Sequence, residues 1–78
     1  MEYFITLNLV EQLESDANLR RELAFAMKLG EQAVYKMVKN YLPNPTPNSS
    51  LTKLAAVEFF ESKGYRREDF ITHDKPAV

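Results

Sequence analysis

The chain has 78 residues, 45% of them hydrophobic and 27% charged, the composition of one small globular domain and not of a disordered tail. It contains no cysteine, which excludes disulfides, thiolate zinc sites and cysteine nucleophiles. The formal net charge of -1 argues against a basic coat over the whole surface and leaves room for a local one.

The opening Met1-Glu2-Tyr3-Phe4-Ile5 has no basic region ahead of its apolar stretch and no small-residue cleavage site, so it does not read as a signal peptide. No apolar run approaches the ~20 residues of a membrane span. A soluble, cytoplasmic protein without membrane contact is the expectation. Residues 3–7 suit a short strand or an extended arm.

Helical spacing begins after the arm. Leu9, Val10, Leu13 and Ala17 form a first apolar stripe, with Asn8 and Glu11 spaced as a capping box. Asn18 is placed to cap a second stripe of Leu19, Leu23, Ala26 and Met27. A third stripe, Val34, Met37, Val38 and Tyr41, follows the i, i+3, i+4, i+7 rule. Prolines at 43, 45 and 47 forbid helix or central strand and predict a stiff, exposed loop over 42–50. Ser49 or Ser50 can cap a fourth helix ending near Lys63 and Gly64, and Arg66 to Ile71 suits one further short turn.

Charge is distributed unevenly along these elements. Residues 1–18 carry a net charge of -4, residues 19–41 a net charge of +3, and residues 42–78 balance. A polyanion would have to be met by the middle segment. The second and third stripes are separated there only by Lys28-Leu29-Gly30, so the two helices must cross steeply or fold back.

The run from Glu22 to Val38 resembles the helix-turn-helix of phage repressor and Cro-type regulators, and aligns with it without a gap. Leu23 takes the first core position, Ala24 the small position where the helices cross, and Met27 the end of the first helix. Leu29 takes the buried turn position, and Val34 with Met37 the inner face of the recognition helix. The family's usual turn glycine is Lys28 here, and a non-glycine residue in a left-handed conformation costs roughly 1–2 kcal/mol. The segments Leu51 to Ala56 and Arg67 to Ile71 are similar to the later helices of such proteins.

The resemblance implies an all-α domain of four to five short helices, a lambda-repressor-like DNA-binding domain spanning residues 1–78. Its helix-turn-helix covers about 19–41, its Pro-rich loop 42–50 and its C-terminal helices 51–71. It further implies a dimeric, sequence-specific transcriptional regulator of phage or mobile-element type that reads duplex DNA through the major groove.

With the third stripe turned inward, Glu31, Gln32, Tyr35, Lys36 and Lys39 form the outer face of its helix. Gln32 can pair bidentately with adenine, Tyr35 can meet a thymine methyl or a phosphate, and Lys36 and Lys39 can reach guanine or backbone. Glu31 either reads cytosine or repels phosphate. Arg20 occupies the place where relatives clamp a phosphate.

Adjacent Phe59 and Phe60 cannot share one helix face, so they mark either a helix sandwiched in a small core or, as favoured here, a dimer surface. His73 with Asp74 reads as a frayed tail, too short of ligands for a metal. No nucleophile–base pair, phosphate loop or clustered carboxylate indicates an enzyme, a cofactor or a small-molecule substrate. The rival expectation is a helical protein-interaction module, antitoxin-like or an adaptor, that does not read DNA.

Overall fold

The computed structural model describes residues 2–77. A two-residue strand β1 (Phe4–Ile5) leads into helices α1 (Leu7–Ser15), α2 (Ala17–Met27) and α3 (Glu31–Tyr41). A 3-10 turn (Ser50–Thr52), α4 (Leu54–Ser62), the single turn α5 (Arg67–Phe70) and strand β2 (Ile71–Thr72) complete it. The architecture is mostly helical with one small sheet. In that sheet β1 and β2 run antiparallel, with Phe4 opposite Thr72 and Ile5 opposite Ile71. Of the short strand or extended arm expected at residues 3–7, Phe4–Ile5 form a strand paired with the far end of the chain, and Leu7 already opens α1. No helix is long and apolar enough to cross a membrane, among the described residues.

One apolar cluster holds these elements together. Leu9, Val10 and Leu13 of α1 meet Leu19, Leu23 and Ala24 of α2 and Val34, Val38 and Tyr41 of α3. Ala56, Val57, Phe59 and Phe60 of α4, with Phe70 and Ile5, close the other side. Met27 and Met37 pack at the rim, half-buried, while Ala17 and Ala26 are exposed. Ala24 is the small residue that this core requires, 4% exposed on α2, which packs against both α3 and α4.

The helix starts depart from the expected caps. Thr6, not Asn8, precedes α1, and no side chain caps it. Its N–H is committed to the Phe70 carbonyl at 2.9 Å, so the sheet runs straight into the helix. Asp16, not Asn18, caps α2 by accepting from the Leu19 N–H at 3.1 Å. Ser49 caps the 3-10 turn rather than the fourth helix, because extended Lys53 separates the two.

The helix ends follow the sequence more closely. Gly64 at φ +96 closes α4, with the Tyr65 N–H reaching the Phe60 carbonyl and the Gly64 N–H the Glu61 carbonyl. That is a complete Schellman motif. The same motif closes α2 with Lys28 at φ 58, ψ 41 in the left-handed position. The Leu29 N–H donates to the Ala24 carbonyl at 2.9 Å and the Lys28 N–H to the Phe25 carbonyl at 3.1 Å.

Four further expectations are corrected. Leu29 is not the buried residue of the turn but 42% exposed, because backbone hydrogen bonds to α2 hold the turn. Phe59 and Phe60 do not form a free surface, being 9% and 0% exposed. The Phe60 ring packs edge-on against Phe59, Tyr65 and Phe70 at centroid distances of 5.6, 6.4 and 5.4 Å, so α4 is the sandwiched helix. Nor is the Pro-rich loop wholly a surface feature. Pro45 is fully buried, and Asn48 binds Tyr3 twice, through its N–H to the Tyr3 carbonyl at 2.7 Å and its Oδ1 to the Tyr3 N–H at 2.9 Å. The tail is likewise docked, with the His73 ring 4.9 Å from that of Tyr3.

Candidate nucleic-acid interface

Burial of Val34, Val38 and Tyr41 fixes the rotation of α3 about its own axis. The opposite side then carries Gln32, Tyr35, Lys36 and Lys39, spaced i, i+3, i+4, i+7 and all exposed. Gly30 precedes the helix in extended geometry and no side chain caps its first amides. Glu31 and Gln32 therefore stand at the positive end of the helix dipole.

Arg20, Glu31, Gln32 and Tyr35 line one shallow cleft of about 290 Å³ between α2 and α3. Lys36 and Lys39 lie further along the same outward side. The structure brings together all six sequence-predicted residues, but it gives them unequal freedom. Gln32 and Lys36 are exposed and carry no side-chain hydrogen bond or ion pair to a described residue. Glu31 stands 3.6 Å from the Arg21 guanidinium.

Arg20 is committed inward. Its Nη1 donates to the carbonyls of Leu13 at 2.8 Å and Glu14 at 2.5 Å, satisfying the open C-terminal end of α1. Its guanidinium carbon also lies 5.1 Å from the centre of the Tyr35 ring, and its Nε is buried without a partner. Lys39 also lies over the Tyr35 ring, 5.9 Å from its centre, and donates to Glu14 Oε2 at 3.0 Å. The hydrogen bond to Glu14, then the charge of Glu14 and that of Tyr35, push the Lys39 amine above its ordinary value. Tyr35 is thereby in contact with two cations while 42% of it stays open to solvent.

Glu14 and Arg21 are the participants that sequence reasoning missed. Glu14 lies 25 positions from Lys39, and only the packing of α1 on α3 joins them. Arg21 is one helical position from Arg20 and points toward Glu31, which the charge count of the middle segment could have indicated. No three His, Asp or Glu side chains among the described residues gather as a metal site. Comparison with family models, with curated proteins and with solved structures gives no match to this chain.

Proposed function

We propose that this chain is a sequence-specific DNA-binding transcriptional regulator whose α2 and α3 form a helix-turn-helix of the phage repressor and Cro type. The observation that carries this reading is the turn at Lys28. A left-handed residue four positions after buried Ala24 ends α2 abruptly and starts α3 three residues later, with the polar stripe of α3 outward. Such a pair presents its second helix as a rigid probe of major-groove dimensions.

Within this reading the residues divide by role. Gln32, in the first turn, and Tyr35 read base edges, while Lys36 and Lys39 supply phosphate or guanine contacts. Arg20 holds Tyr35 and the end of α1 in place. A homodimer would read two half-sites a helical turn apart. Its apolar contact falls to surface other than Phe60. Exposed Leu54 and Tyr3 line a cleft of about 250 Å³ with Val57 and Ile71, which is one apolar surface open to such a contact.

The test is selection of binding sites from a random duplex pool, followed by titration of the enriched duplex against a scrambled one. An enriched sequence bound at least about 1000-fold more tightly supports specific recognition. No enrichment, with equal affinity for both duplexes, contradicts it.

The second reading, a protein-interaction module, is favoured by one observation. Phe25 on α2 is 87% exposed and Leu29, one turn later, 42% exposed, an apolar pair beside the turn that DNA contact does not require.

A further inference from the structure

Among the described residues, Glu14 is the one that touches both cations packed over Tyr35. Its carbonyl accepts from Arg20 Nη1 at 2.5 Å and its carboxylate accepts from Lys39 Nζ at 3.0 Å. The residue lies in the last turn of α1, a helix seated on α3 through Leu9, Val10 and Leu13, so the backbone that carries the carboxylate is positioned by core packing. It therefore places a negative charge against a lysine of the outward face. The Lys39 amine is correspondingly stabilised in its charged form.

We propose that Glu14 is a specificity-determining residue that competes with the DNA backbone for Lys39 and so suppresses binding to duplexes of arbitrary sequence. The proposal rests on the DNA-binding reading of this face. Non-specific affinity comes almost wholly from phosphates neutralised by lysine and arginine, each adding about 0.9 to the log–log salt slope. Withholding one cation reduces that affinity about fivefold near physiological salt.

The ion pair is exposed and weak, so a phosphate held at the right place by base contacts from Gln32 and Tyr35 displaces the carboxylate. A duplex lacking those contacts meets Lys39 already engaged, with Glu14 beside its backbone as a repelling charge. The selected duplex regains the Lys39 contact once the carboxylate is displaced, whereas a scrambled duplex does without it, so the penalty is larger for the scrambled one.

The experiment uses the full chain with Glu14→Gln, Lys39→Ala and the double variant. Binding to the selected duplex and to a scrambled duplex is followed over a salt series. Glu14→Gln is expected to tighten scrambled-duplex binding about fivefold and to steepen its slope by about 0.9, with a smaller gain on the selected duplex. The double variant is expected to show no gain over Lys39→Ala. Glu14→Asp, which keeps the charge but draws it back from Lys39, should give part of the effect.

A wild-type protein that binds its selected duplex, with scrambled-duplex affinity unchanged in Glu14→Gln, overturns the proposal and leaves DNA binding standing. A gain that persists in the double variant also overturns it, because the effect would then be general charge. Failure of wild type and variants alike to bind any duplex overturns the DNA-binding reading and this proposal together. Melting curves establish that each variant is folded.

Discussion

The hydroxyl of Tyr41 and the backbone of Ile5, 36 positions apart, form a closed clasp. The oxygen accepts from the Ile5 N–H at 2.8 Å and its proton is donated to the Ile5 carbonyl at 2.7 Å. The last residue of α3 thus imitates a neighbouring strand along the free edge of β1, while β2 pairs with the other edge. Through this contact the end of α3 is tied to the sheet and, by way of Asn48 and Tyr3, to the Pro-rich loop.

Tyr41→Phe should destabilise the fold by about 1–3 kcal/mol in urea denaturation, since it leaves a buried donor and acceptor without partners. The pH dependence follows from the same burial, which pushes the Tyr41 hydroxyl above its ordinary value near 10. The neutral phenol is the form that the fold favours. Its contribution is complete below the unfolded value and is lost as pH rises through the folded one. Tyr41→Phe should therefore lose less stability than wild type between neutral and strongly alkaline pH. Parallel alkaline limbs would show that folding leaves the titration of this hydroxyl unshifted.

Lys28→Gly should stabilise the protein by about 1 kcal/mol, because glycine adopts φ 58 without the steric cost that lysine bears. Thermal unfolding measures this directly. A loss of stability would mean that the lysine side chain contributes more than its backbone strain removes.

Phe60→Ala should cost about 3–5 kcal/mol, as the ring is fully buried among Phe59, Tyr65 and Phe70. Denaturant titration checks the magnitude. A near-neutral change, with a drop in apparent mass on sedimentation, would return this side chain to an interface.

Much of the helical architecture was legible in the sequence because i, i+3, i+4 spacing reports which side faces the core. Val34, Val38 and Tyr41 show it directly. The left-handed turn at Lys28 was legible from the resemblance of the run Glu22 to Val38 to a helix-turn-helix, even without glycine. What escaped had tertiary causes. Adjacent Phe59 and Phe60 read as a conflict only if a helix has one buried side, and α4 has neighbours on two. The sheet pairing of Ile5 with Ile71 and the ion pair of Lys39 with Glu14 leave no local pattern, since each joins distant positions. Asn18 lost the cap to Asp16 over a difference of two residues, the scale on which helix boundaries are set by competing side chains.

Gln32→Ala and Lys36→Ala should separate reading from holding. The first should relax base preference by about 1–3 kcal/mol at one position of the selected site while scrambled-duplex affinity stays near wild type. The second should weaken both duplexes alike and flatten the salt slope by about 0.9. Fluorescence anisotropy over a salt series reads both quantities. Equal losses on every sequence from Gln32→Ala would remove its part in base recognition.

The central claim is that the outward side of α3 meets DNA, and amide and side-chain chemical-shift mapping with the selected duplex tests it most directly. The predicted result is that the largest perturbations fall on Gln32, Tyr35, Lys36 and Lys39 and extend to Arg20 at the start of α2. Perturbations confined to Phe25, Leu29 and their surroundings, or none at saturating duplex, would contradict it.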